Sequence, residues 1–98
     1  MSPNRPRSMD VRRLHAITTL ATEAQARARI LYRQARNISS QRRLQWIASE
    51  LYEVERVVRR GAGQLTQTAA ADVEWLLAFY LSELARAEDA LGQHPQAS

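Results

Sequence analysis

From Leu14 to Leu91 apolar side chains recur at alternating steps of three and four residues, the signature of one helical face, in three separate runs. The first run is Leu14, Ile17, Ala21, Ala24, Ala28, Leu31, Ala35 and Ile38. It predicts a helix over residues 10–37, with Ser8 or Asp10 as its cap. Alanines in the middle of this seam permit closer helix approach than leucines would. At about 1.5 Å per residue such a helix is roughly 42 Å long. That is long for a domain of this size, so it needs equally long neighbours or a second chain.

The second run, Leu44, Ile47, Leu51, Val54 and Val58, predicts a helix over residues 40–60. Asn37, Ser39 and Ser40 make the break before it, with a serine expected as N-cap. Gly61 and Gly63 end it, the first as an expected left-handed C-cap. Arg56, Arg59 and Arg60 fall in the last turn, where cations suit the negative end of the helix dipole. The third run, Val73, Leu77, Tyr80, Leu84, Ala87 and Leu91, predicts a helix over residues 68–91, capped by Thr66 or Thr68 and ended by Gly92 and Pro95. Three long helices with short connections predict an all-α, up-down-up three-helix bundle. Residues 1–9 are expected as a flexible arm, 10–91 as a single domain and 92–98 as a loose tail.

The third helix carries more apolar surface than one bundle face uses. Val73 to Leu84 reads VEWLLAFYLSEL, with nine apolar positions out of twelve. At about 100° per residue, with Val73 at zero, the seam stays within about 40° of zero. Leu76 then falls near 300°, Phe79 near 240° and Trp75 near 200°, roughly twice the apolar arc of a one-sided surface helix. Glu74, Ala78, Ser82 and Asp89 mark its solvated side. On the second helix, with Leu44 at zero, Trp46 falls near 200° and Val57 near 220°, away from the expected core. Tryptophan is enriched at binding hot spots. Trp46, Trp75, Leu76 and Phe79 are therefore the candidate protein interface, and a homodimer is the expected assembly.

Charge adds a second asymmetry. All fourteen cationic residues are arginine. Residues 1–60 hold thirteen of them against five acids, and residues 61–98 hold one against five. The basic half of one protomer could meet the acidic half of another, or the basic half could steer an acidic partner. Arg12 and Arg13 sit in the expected first turn of helix one, Arg42 and Arg43 in that of helix two. Cations there oppose the helix dipole, so Arg42 and Arg43 join the candidate interface as contacts for acidic side chains or phosphates.

Candidate chemistry is sparse. There is no cysteine, so neither disulfides nor thiolate metal sites are available. His15 and His94 stand far apart without a partner at metal-ligand spacing, and Glu50, Glu53 and Glu55 read as solvated helix surface. No nucleophile–base pair or phosphate loop occurs, and no cofactor is implied. No apolar run reaches the length of a membrane span, and no signal segment opens the chain, so a cytoplasmic protein is expected. Asp10-Val11-Arg12-Arg13 resembles the start of the first helix in the all-helical chorismate mutases. That resemblance implies an intertwined three-helix dimer whose arginines bind carboxylates. The family's site also uses a lysine, and this chain has none.

Three functions follow from these features. The leading expectation is a non-enzymatic regulatory module, an antiactivator or adaptor that occludes a larger regulator such as a bacterial transcription factor. It is similar in size and style to small antiactivators of quorum-sensing activators. The alternative is a nucleic-acid-binding helical protein, favoured by the sequence pI near 10.6. A chorismate-mutase-like enzyme is the third. No membrane or small-molecule partner is expected.

Overall fold

The computed structural model describes residues 11–61 and 64–93. It contains three helices, α1 (Val11–Gln34), α2 (Ile38–Arg60) and α3 (Gln67–Gln93). The expected arm, the Ser8 or Asp10 cap, Gly63, Pro95 and most of the tail lie outside the described residues.

Helix α1 stops short of its expected end because the next helix claims Asn37. The amide of Ala35 closes the last turn onto the carbonyls of Leu31 and Tyr32. Asn37 then adopts extended backbone and its side-chain oxygen accepts from the Ser40 amide at 2.8 Å. Asn37, not a serine, is the N-cap of α2. Ile38, expected as the last residue of the α1 seam, instead opens α2 and is exposed. Replacing Asn37 with alanine should cost about 1 kcal/mol, measured as a lower urea midpoint; an unchanged midpoint would remove the cap from the account.

Gly61 ends α2 without a left-handed conformation. Its φ is −90° and ψ 6°, and its amide bonds the Val57 carbonyl at 2.9 Å. The Gln64 and Leu65 amides both return to the Gly61 carbonyl, at 2.8 and 3.0 Å. Glycine is suited here by close approach: a Cβ would lie 3.1 Å from Leu65 Cγ and 3.2 Å from the Val57 carbonyl oxygen. Thr66 caps α3, its hydroxyl accepting from the Ala69 amide at 3.2 Å. Helix α3 continues through Gly92, which does not break it.

Cross-helix contacts fix the topology. Arg13 meets Glu74 and Arg27 meets Glu88, so α1 and α3 run parallel. Gln25 meets Glu55, while Glu50 meets Tyr80 and Arg43 meets Glu83, so α2 runs antiparallel to both. The bundle is therefore up-down-up. Its core takes Ile17, Ala21, Ala24, Ala28, Leu31 and Ala35 from α1 and all five seam residues of α2. From α3 it takes Ala70, Val73, Leu77, Tyr80 and Leu84. The four largest fully buried side chains, Leu44, Ile47, Leu51 and Val58, all belong to α2. The alanine seam of α1 and the bulky seam of α2 are complementary: small residues on one helix make room for large ones on the other. No helix among the described residues is long and apolar enough to cross a membrane.

Candidate functional site

The basic and acidic halves of the chain meet within one bundle. Arg13 grips Glu74 through two nitrogens, at 2.7 and 2.5 Å, and donates a third bond to Gln67 Oε1 at 2.6 Å. Arg27 pairs with Glu88, and Arg43 with Glu83. The guanidinium of Arg13 holds the Glu74 carboxyl below its ordinary range, so this pairing stabilises the fold above that range and fades on acidification. Arg13 and Arg43 thus have acidic partners inside the chain. With Asn37 as the cap, Arg42 and Arg43 also sit in the second turn of α2, beyond the strong reach of the dipole. Arg43 pairs with Glu83 of the same chain while half of its side chain stays exposed. Arg42 remains exposed.

The glutamates of α2 are not a uniform solvated face. Glu55 accepts from Gln25 at 2.7 Å and from Arg59 at 2.7 Å, and the Gln25 bond is the chief cause of its lowered pKa. Gln25 is buried and also donates to the Ala21 carbonyl. Glu50 accepts from the Tyr80 hydroxyl at 3.1 Å. Only Glu53 is exposed, paired with Arg56 one turn away. Glu74, expected on the solvated side of α3, is half-buried against α1.

These lateral contacts leave the outward face of α3 free of charge from Trp75 to Ala85, between exposed Asp72 on one side and exposed Arg86 on the other. Glu74 turns to α1 and Glu83 to α2, while Ala71, Trp75, Ala78, Phe79, Ser82 and Ala85 are exposed between them. Trp75 is 67% exposed and Phe79 41%. Their rings stack at 6.0 Å, with an interplanar angle of 10°. Leu76 is likewise exposed, at 38%.

Trp46 joins this surface from α2. Its ring meets Tyr80 edge-on at 5.6 Å, and Tyr80 meets Phe79 edge-on at 5.2 Å. Trp75, Phe79, Tyr80 and Trp46 therefore form one unbroken series of ring contacts across two helices. Tyr80 is its buried hinge. Its ring belongs to the core, and its hydroxyl is tied to Glu50. Both ends of the series remain open, since Trp46 keeps 45% of its surface exposed. The structure thus brings the four hydrophobic candidates onto one side of the molecule and puts Arg43 to structural use beside it. Sequence spacing gave no hint of the contact between Trp46 and Tyr80. A small step from exposed to buried aromatic residues, Phe79 to Tyr80, is its only local trace.

Burial, and secondarily the bond to Glu50, push the Tyr80 phenol above its ordinary range. A group raised in the folded state contributes stability in full below its unfolded pKa of about 10 and loses it as pH rises through the folded value. An alkaline titration followed by phenolate absorbance should show one tyrosine ionising late, and Tyr80→Phe should delete that late component. Loss of an early component instead would contradict the burial of this ring.

Among the described residues, no group of three histidines, aspartates or glutamates could hold a metal ion. His15 is exposed. Comparison with protein-family models, with curated proteins and with solved structures found no match to this chain.

Proposed function

We propose that this chain is a non-catalytic protein–protein interaction module that works through the aromatic face of α3 and Trp46. The observation that carries the proposal is the outer strip from Trp75 to Ala85, charge-free between Asp72 and Arg86, which holds a stacked tryptophan–phenylalanine pair in solvent. Exposed apolar patches of this kind mark association sites. A large aromatic pair brings much contact area at little entropic cost, because stacking already limits its rotamers. Small neighbours, Ala71, Ala78, Ser82 and Ala85, let another helix approach closely around it.

The working model is a homodimer that presents, or exchanges, this face to occlude a larger regulator. A bacterial transcription factor, including a quorum-sensing activator, is the class of target considered. Occlusion needs only a rigid helix with aromatic anchors that enter a hydrophobic groove. The nucleic-acid alternative loses support from the arginine pairing, since Arg13, Arg27 and Arg43 spend their charge on α3.

The test compares the wild type with W75S/F79S, in sedimentation equilibrium of the purified protein and in affinity capture from the source cell. The proposal expects the double variant to stay helical and to lose self-association, captured partner, or both. Unchanged mass together with an unchanged set of captured proteins would end it.

A further inference from the structure

A second groove lies on the opposite flank of the bundle, between α1 and α2 and away from α3. Its volume is about 730 Å³. From α1 it is lined by Gln25, Ala28, Arg29, Tyr32 and Arg33; from α2 the lining includes Ala48, Ser49 and Tyr52. The small residues Ala28, Ala48 and Ser49 keep its centre shallow and wide, and exposed tyrosines, Tyr32 and Tyr52, stand along it. Helices pack at about 8–10 Å when small side chains face each other. This cleft has the form of a bundle with a place for one more helix.

Charge identifies the kind of helix. Arg13, Arg27, Arg43, Arg56, Arg59 and Arg86 are all paired with glutamates. Arg29 and Arg33, in the groove, make no ion pair among the described residues, and neither do Arg36 and Arg42 at the same end of the hairpin. Arg33 lies in the last turn of α1, where it also suits the dipole. That local reason does not extend to Arg29, which lies further back in α1, or to Arg42 near the start of α2. The acid in the groove, Glu53, is already neutralised by Arg56. The groove is thus apolar along much of its floor, with positive charge, unpaired among the described residues, from Arg29 at mid-length to Arg33 at the hairpin end.

We propose that the α1–α2 groove receives an amphipathic helix of another protein that carries an acidic flank. A second copy of this chain fits poorly, because Glu74, Glu83 and Glu88 are committed to arginines of their own bundle and the exposed Glu23, Asp72 and Asp89 stand far apart along their helices rather than clustered on one flank. Nucleic acid fits less well than a helix, because the groove's surface is more apolar than basic and Arg29 and Arg33 are the two arginines in its lining. This proposal is independent of the α3 face. The two surfaces are on different sides and are removed by different substitutions.

A displayed library of helix-forming peptides, randomised on the face and flanks of the helix, tests it. Selection on the wild-type protein should enrich peptides with an apolar face and clustered Asp or Glu on one flank. Binding of a selected peptide should fall roughly tenfold or more in R29E/R33E, and clearly in Y52S, and weaken as salt rises. W75S/F79S should bind it normally. No enrichment, enriched peptides without acidic residues, or binding indifferent to R29E/R33E would overturn the proposal. Loss of binding in W75S/F79S would move the site to α3 and overturn it too. So would a 20-nucleotide single strand that binds more tightly than the best peptide and depends on Arg29 and Arg33, which would make the groove a nucleic-acid site.

Discussion

Ile47→Ala should bring the bundle close to its limit of stability. Ile47 has no exposed surface and sits in the middle of the α2 seam, among the largest fully buried side chains. Truncating a buried isoleucine to alanine costs about 2–5 kcal/mol, and the cost grows with the cavity that survives relaxation. Here relaxation has little material to use. Most of the buried α1 seam is alanine, Ala21, Ala24 and Ala28 among them, whose methyl groups cannot swing into a void. The cost should therefore fall in the upper part of that range. A domain of this size has about 5–15 kcal/mol in total, so a large share is lost. With a urea slope of about 1–3 kcal/mol per molar, the midpoint should drop by roughly 1–2 M or more. Ile47→Val, which removes one methyl group, should cost only about 0.5–1.5 kcal/mol. Equal midpoints for the two variants would show that the core refills, against the packing described above.

W75S/F79S should do the reverse, sparing the fold and removing the interface. Both rings are substantially exposed, so little buried area is lost, and the main internal loss is their mutual stacking, worth about 0.5–1.5 kcal/mol. The contact between Phe79 and Tyr80 also goes, yet Tyr80 keeps its place in the core and its bond to Glu50. Binding should respond far more strongly. Aromatic anchors at the centre of an interface each contribute about 2 kcal/mol or more on truncation. Losing both should weaken association by roughly a hundredfold or more. Sedimentation equilibrium reads that change for self-association, and titration calorimetry reads it for a captured partner. A variant that unfolds with a midpoint loss like that of Ile47→Ala would instead assign these rings to the core.

The sequence carried the α2 seam completely, because five bulky residues at strict spacing leave no other face to bury. It carried the α3 seam from Val73 onward but not Ala70, a small residue one turn earlier whose burial depends on where α1 begins to cover it. Ile38 misled: it continues the α1 spacing, but Asn37 offers a better cap than any serine after it, and the helix boundary follows the cap. The acids of α2 were illegible for a different reason. Glu50 and Glu55 border the α2 seam on its two sides, and which neighbour each meets, Tyr80 or Gln25, depends on how α3 and α1 pack against α2. The same holds for Arg13 and Glu74, which lie 61 residues apart. The exposure of Trp75, Leu76 and Phe79 was readable, because the angular position of a residue on a helix needs no partner to calculate. Their union with Trp46 was not, because it depends on the antiparallel register of α2 and α3.

The central claim is that the outer face of α3 is covered by protein in the cell. Site-specific photo-crosslinking tests it most directly. A benzoylphenylalanine introduced at Trp75, in the aromatic face of α3, is compared with one at Glu23, an exposed position on α1. Irradiation of intact cells should give a discrete protein adduct from position 75, either a crosslinked dimer or a larger heterologous species, and none of that mass from position 23. No adduct at position 75, or the same adducts at both positions, would contradict the account.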